Sequence, residues 1–230
     1  MKVGFIGTGN MGGALAHAAA QSPAPAELLL SNRTPEKAQA LAQQLGATVS
    51  DNETIAQTCD YIFLGVKPQM MADLLARLRP ILSRRQEGFV LGSAAGLTLQ
   101  RLREMAGLSC PILRIMPNTA CAVGAGLTLY VPSPEVTEEQ LSAFLTLMSA
   151  SGRLEPLEEH LIDAGSAVAG CGGAFVMDTA APLSSACFGR RWPTAPSPAA
   201  CPVTRPGATP PRWCWVRRSW LSSPTSTPPL

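Results

Sequence analysis

The last 52 residues of this 230-residue chain contain no Asp, no Glu and no Lys. They carry six Arg, whereas residues 1–178 carry 12 Lys and Arg against all 16 acidic residues, so the balance turns from −4 to +6. All four Trp and eleven of the 21 Pro fall in the same stretch. Such a break separates two differently constrained segments rather than marking drift within one domain. Histidine is scarce too, and the seven Cys form no CxxC pair. That argues against a zinc site and a disulfide framework, and reduced thiols in a cytoplasmic protein are the expectation. The longest nearly apolar run, Ala164–Met177, is too short and Gly-rich to cross a bilayer, which needs about 20 residues, so no membrane partner is expected. A secretion signal is not expected either, because Asn10 and five Gly by residue 13 interrupt what would be its apolar region.

What is present allows one good core, or a core with a smaller module. From Lys2 to about Ser149, short apolar runs alternate with helical patterns. Strands are predicted at Lys2–Ile6, Leu28–Leu30, Tyr61–Leu64, Phe89–Leu91 and Ile112–Met116, without the strict alternation of a half-exposed sheet. Thr34 before Pro35 reads as a helix start, and "SDNE" (Ser50–Glu53) and "TEEQ" (Thr137–Gln140) fit the capping box. Leu41 with Leu45, then Leu74, Leu75 and Leu78, mark buried helix faces. The alternation predicts an α/β fold, a doubly wound parallel sheet with helices on both sides. Leu161–Met177 reads as a helix weakened by glycine, and beyond Asp178 there is neither periodicity nor repeat.

The stretch "KVGFIGTGNMGGALAHAAAQ" carries the strongest chemistry. Gly7, Gly9 and Gly12 have the G-x-G-x-x-G spacing between a strand and a helix, and Leu28–Leu30 closes a βαβ unit. In such a unit the first glycine allows the turn, the second lets a pyrophosphate approach, and the third brings helix and strand together. The free N–H groups of the helix start then face the anion. A packing turn without ligand is the alternative. The second strand ends "LLLSNRT", so Ser31, Asn32 and Arg33 stand where an NAD site carries an acidic residue. A hydroxyl, an amide and a guanidinium suit a 2′-phosphate, which favours NADP(H) over NAD(H). The competing reading leaves Arg33 a solvated residue beside a turn.

Together with "GFIGTGNMG", the stretches "FLGVKPQ" (Phe63–Gln69), "SAAG" (Ser93–Gly96) and "RIMPNTA" (Arg114–Ala120) occur in an order that resembles the pyrroline-5-carboxylate reductase family, over residues 1–177. The resemblance implies a Rossmann-like domain with these loops gathered at the carboxyl edge of its sheet around NADPH. By position it places Ile6, Gly7, Thr8, Gly9, Asn10 and Met11, with Gly12, at the pyrophosphate. Ser31, Asn32 and Arg33 would meet the adenosine end, with Asn52 nearby. Val66, Lys67 and Pro68 would lie along the coenzyme, Ser93, Ala94 and Ala95 beside the nicotinamide, and Asn118 near nicotinamide or substrate. Each also has a plainer reading: Pro68 as a strand breaker, Lys67 as a surface charge, "SAAG" as a packing turn. The implied reaction reduces a small cyclic imine carboxylate, 1-pyrroline-5-carboxylate, to L-proline. No residue is assigned as a catalytic acid, and no metal is expected. His17 and His160 are isolated and read as structural or solvated.

The likeness ends near "AGCGGAF" (Ala169–Phe175), where the family's helical dimerisation domain begins with a "GSGPA"-like turn and later carries a substrate-binding "PGGTT" stretch. No "PGGTT" follows here. Family-like text A-D-G-A-V-A-C-G-L-P-R-D-K-A, in one choice of codons read one nucleotide later, yields the 14 residues Pro193–Pro206. The tail therefore reads as frame-shifted, with a genuine Pro-rich segment as the alternative. The expected organisation is an NADP-binding domain over 1–150, the start of a dimerisation domain over 151–177, and a disordered tail over 178–230. Homo-oligomerisation, usual in the family, is doubtful for such a chain, and so is catalysis. Competing functions are a non-catalytic NADP-binding remnant and a β-hydroxyacid dehydrogenase-like enzyme. The latter would need a Lys on a later helix, and none follows Lys67. A nucleic-acid-binding role for the basic tail lacks a folded recognition module.

Overall fold

The structure, a computed structural model, describes residues 1–85, 88–93 and 96–170. They lie in one compact unit, Met1–Phe175. The expectations for residues 171–230, including the frame-shifted tail and the remainder of the dimerisation domain, fall outside the described residues.

Eight strands form one sheet: β1 (Lys2–Ile6), β2 (Glu27–Ser31), β3 (Thr48–Val49), β4 (Tyr61–Leu64), β5 (Val90–Ser93), β6 (Ile112–Pro117), β7 (Gly126–Pro132) and β8 (Gly152–Pro156). Their spatial order is β3-β2-β1-β4-β5-β6-β7-β8. All neighbours run parallel except β6 and β7. The first six strands have the order of a doubly wound Rossmann sheet, with the crossover from β1 to β4 at its centre. The helices are α1 (Asn10–Ala20), α2 (Pro35–Leu45), α3 (Asn52–Thr58), α4 (Pro68–Leu82), α5 (Leu99–Ala106) and α6 (Glu138–Leu147). Residues 162–170 are also helical.

Both faces of the sheet are buried, which explains the absence of alternation in its central strands. One face packs Ile6, Ile62, Leu64 and Leu91 against Ile55 of α3, Met71 and Leu75 of α4 and Leu102 of α5. The other packs Val3, Phe5 and Phe63 against Leu15 of α1, Ala42 of α2 and Phe144 of α6. Phe5 and Phe63 stack at 4.9 Å between ring centroids, and Phe144 reaches both Phe63 and Tyr130.

The caps correct one expectation. Thr137 and Gln140 form the predicted capping box, and Thr34 is the N-cap of α2. The "SDNE" box does not form. Ser50 N–H donates to the Leu30 carbonyl at 2.9 Å and is committed beside the sheet. The cap of α3 is Asp51, which accepts from Thr54 N–H at 2.6 Å and from its hydroxyl at 3.0 Å. Starting one residue later directs Ile55 into the core and leaves Asn52 as the first helical residue. The antiparallel β7 and the strand β8 extend the sheet beyond the predicted set.

Candidate functional site

Strand register builds the site. Ile6 pairs with Ser31 on one side and Leu64 on the other, Leu64 with Ser93, and Ser93 with Arg114. The row Ser31–Ile6–Leu64–Ser93–Arg114 therefore crosses the sheet close to its carboxyl edge. Beyond it the chain leaves as the loops that begin at Gly7, Asn32, Gly65, and Asn118 after β6. This is the edge at which open α/β sheets take their ligands.

The glycine loop makes its turn at Gly7 and its close approach at Gly12, and leaves open space at Gly9. Gly7 has φ +92°, a backbone that side chains rarely adopt, and its N–H donates to Ser31 O at 2.8 Å. A Cβ on Gly12 would stand 2.1 Å from the Gly7 carbonyl oxygen, so α1 packs backbone to backbone against the loop. A Cβ on Gly9 would meet nothing within 4 Å; the space over this residue is open. Gly9 is the N-cap of α1, no side chain caps the helix, and no acidic residue occupies its first turn. The leading N–H groups of a helix lack intrahelical acceptors. Thr8 is buried, and its Oγ1 has no partner among the described residues. Asn10 is exposed and Met11 half-buried at the start of the same helix.

Gly65 is a further close-approach glycine that motif reading passes over. A Cβ there would lie 2.4 Å from Gly7 O, and Gly65 N–H donates to Ile6 O at 2.8 Å. Its signal was a glycine directly after a strand, inside "FLGVKPQ". Val66 lies against Gly7, with its Cγ1 2.9 Å from where a Gly7 Cβ would be. Lys67 is the N-cap of α4, Pro68 its first residue, and both are exposed.

At the end of β2, the buried Ser31 hydroxyl donates to Asn52 Oδ1 at 2.6 Å, joining two residues 21 positions apart. The shifted cap at Asp51 makes this contact possible. Asn32 Nδ2 donates to Thr34 O at 3.1 Å, and Arg33 is exposed beside it. Ser93 closes β5, with its Oγ buried and unpartnered among the described residues. Ala94 and Ala95 lie outside the described residues. Asn118 is committed at both ends of its amide: Oδ1 accepts Leu127 N–H and Nδ2 donates to Ala169 O, each at 3.3 Å.

Among the described residues, nucleophilic cysteine chemistry has no support. Burial pushes the Cys59 and Cys110 thiols up to about 11 and raises Cys121 as well. His160 is exposed, with Nδ1 3.3 Å from Glu158. The described edge offers backbone N–H groups, hydroxyls, amides and the exposed cations Arg33 and Lys67. These groups suit binding and orienting a phosphate-bearing coenzyme more than acid–base work, and the open space over Gly9 fits that use.

The sheet order and the glycine cradle define a protein of the Rossmann class. A family profile described as NADP oxidoreductase coenzyme F420-dependent matches residues 2–90. The Escherichia coli (strain K12) pyrroline-5-carboxylate reductase is 34% identical over 178 residues, 76% of this chain and 65% of that protein. The crystal structure of Plasmodium falciparum pyrroline carboxylate reductase with NADP bound is 30% identical with a TM-score of 0.66, covering 81% of this chain and 68% of that one. A pyrroline-5-carboxylate reductase structure from Coxiella burnetii is 27% identical with a TM-score of 0.71, covering 82% and 71%. The chain belongs to the pyrroline-5-carboxylate reductase family. It spans 64% and 65% of the lengths of the Aquifex aeolicus and Escherichia coli relatives. Among the described residues, no helix is long and apolar enough to cross a membrane.

Proposed function

We propose that this chain binds NADPH along the carboxyl edge of its sheet and acts as a reductase of 1-pyrroline-5-carboxylate, forming L-proline. The observation that carries the binding is the cradle itself: open space above Gly9, an uncapped helix start and the unpartnered Thr8 Oγ1 converge on one spot. A pyrophosphate there would accept from the first N–H groups of α1 and from Thr8. Ser31, Asn32 and Arg33, with Asn52 supporting Ser31, would take the 2′-phosphate of the adenosine end. Val66, Lys67 and Pro68 would line the path between the two halves of the coenzyme. Ser93, Ala94, Ala95 and Asn118 would border its reactive ring. NADPH, when bound, supplies the hydride that reduces the imine carbon. The chain's own residues then have to orient the imine and exclude water, since a protonated C=N is already electrophilic.

The family resemblance implies a second domain that completes the substrate pocket with a "PGGTT" stretch, and residues 178–230 hold no such stretch. That favours a second reading, NADP(H) binding without turnover. One experiment separates the two: purified protein is titrated with NADPH by fluorescence, then mixed with 1-pyrroline-5-carboxylate while absorbance at the NADPH band is followed. Saturable binding with loss of absorbance supports the reductase. Binding without loss supports the second reading, and no binding by folded protein removes both.

A further inference from the structure

Arg114 is a charged residue in the core. Its side chain is 3% exposed, in the middle of β6 and directly beside Ser93 in the row that builds the site. An arginine so placed is strongly destabilising unless partners satisfy it. Neither carboxylate partner belongs to the sheet. Nη1 donates to Glu159 Oε1 at 3.2 Å and Nη2 to Asp163 Oδ1 at 3.0 Å. The same Glu159 oxygen accepts Leu99 N–H at 2.6 Å, which also ties it to the start of α5. Four residues along, Asn118 donates to the Ala169 carbonyl. Arg114 thus holds the front of segment 159–170 and Asn118 holds its end, so the helix over 162–170 runs beside β6 towards the carboxyl edge.

We propose that Arg114 is a positioning residue, holding the helix over 162–170 in place beside Asn118 on the side of the site that borders the reactive ring. The proposal rests on the reading of this edge as an NADPH site. Both ionic partners of the guanidinium lie on the segment it holds, and its Nε is buried without a partner among the described residues.

The test compares the whole chain with Arg114→Met, Arg114→Lys and the double variant Glu159→Gln with Asp163→Asn, which removes the two carboxylate charges and keeps an amide oxygen at each position to accept from the guanidinium. Two readouts are taken: hydrogen exchange of the amides, and the affinity and emission of bound NADPH. In Arg114→Met, amides over 162–170 should exchange about tenfold faster while those of β1 and β4 keep their protection, and in the double variant the acceleration over 162–170 should exceed any in β1 and β4. NADPH affinity, set mainly at the distant phosphate groups, should stay within about twofold. The enhanced emission of the bound nicotinamide should fall, and Arg114→Lys should restore part of both effects. Unchanged exchange over 162–170, or equal acceleration in β1 and β4, would overturn the proposal. Absence of NADPH binding by the unaltered chain would sink the coenzyme reading instead, and the exchange comparison would still decide the role of Arg114.

Discussion

Gly9 and Gly12 share one loop, yet a methyl group at each has a different consequence. At Gly12 it would sit 2.1 Å from a backbone oxygen that cannot swing away. Gly12→Ala should therefore cost about 1–3 kcal/mol through forced separation of α1 from the loop, read as a lower midpoint in urea unfolding. At Gly9 there is open space, and the φ of −72° suits any residue. Gly9→Ala should change stability by no more than about 1 kcal/mol, the usual range at an N-cap. A bulkier Gly9→Val should keep the fold and lose NADPH binding, because its side chain occupies the space proposed for the pyrophosphate. A Gly9→Val protein that binds NADPH as the unaltered chain does would contradict the cradle. Arg33 tests the other end. It is exposed, so its removal should leave stability alone, while a lost charge-assisted hydrogen bond of about 1.5–3 kcal/mol lowers NADPH affinity at least tenfold and leaves NADH affinity nearly unchanged. Equal losses for both coenzymes would place Arg33 away from the 2′-phosphate.

Helix α3 links stability to the site. Asp51 caps it, and Asn52 one residue later receives the Ser31 hydroxyl. Replacing a good N-cap by Ala costs about 1 kcal/mol, so Asp51→Ala should destabilise by that amount and weaken NADPH binding through a loosened Asn52. The cap is also pH-dependent. The Thr54 backbone N–H, then its hydroxyl, hold the Asp51 carboxyl below its ordinary value of 3.8. A carboxyl lowered in the folded state contributes fully above its unfolded value and loses that contribution as pH falls through the folded one. The stability difference between the native chain and Asp51→Ala should therefore be constant near neutrality and shrink below about pH 4. A difference unchanged down to pH 2 would mean that the carboxylate is not the cap. The same helix shows how sequence reading slips. "SDNE" contains two acceptable caps in succession, and only the β2–β3 ladder, by taking Ser50 N–H, decides for the second. Strands β1 and β4 were legible to the residue because they are short, apolar and buried on both faces. β3 has only two residues, both exposed, and β8 has no fully buried residue, so neither left an apolar run to read.

At the scale of the molecule, the glycine loop was legible because its physics is local, a turn and a close approach within ten residues. Arg114 was not, since a guanidinium inside "ILRIMP" gains meaning only from Glu159 and Asp163, 45 and 49 residues away. Gly65 was hidden likewise, because its partner Gly7 lies in the loop after another strand, β1, 58 residues earlier in the chain. The site is thus assembled by the sheet from loops that local reading sees one at a time, and a ligand that touches several of them should stabilise the assembly as a whole. A coenzyme that binds only the folded chain at 100 times its Kd contributes about 2.7 kcal/mol. For a domain of this size each kcal/mol moves the melting temperature by about 2–4 °C, so NADPH should raise it by about 5–10 °C. NADH at the same concentration should raise it less, because it lacks the 2′-phosphate that Ser31–Arg33 are proposed to hold. Imine reduction is a separate property, since it also requires an assembled substrate pocket. A melting temperature raised by NADPH, without turnover, would assign this chain the coenzyme half of the family's chemistry. A melting temperature indifferent to both coenzymes would show that the glycine loop here is a packing turn.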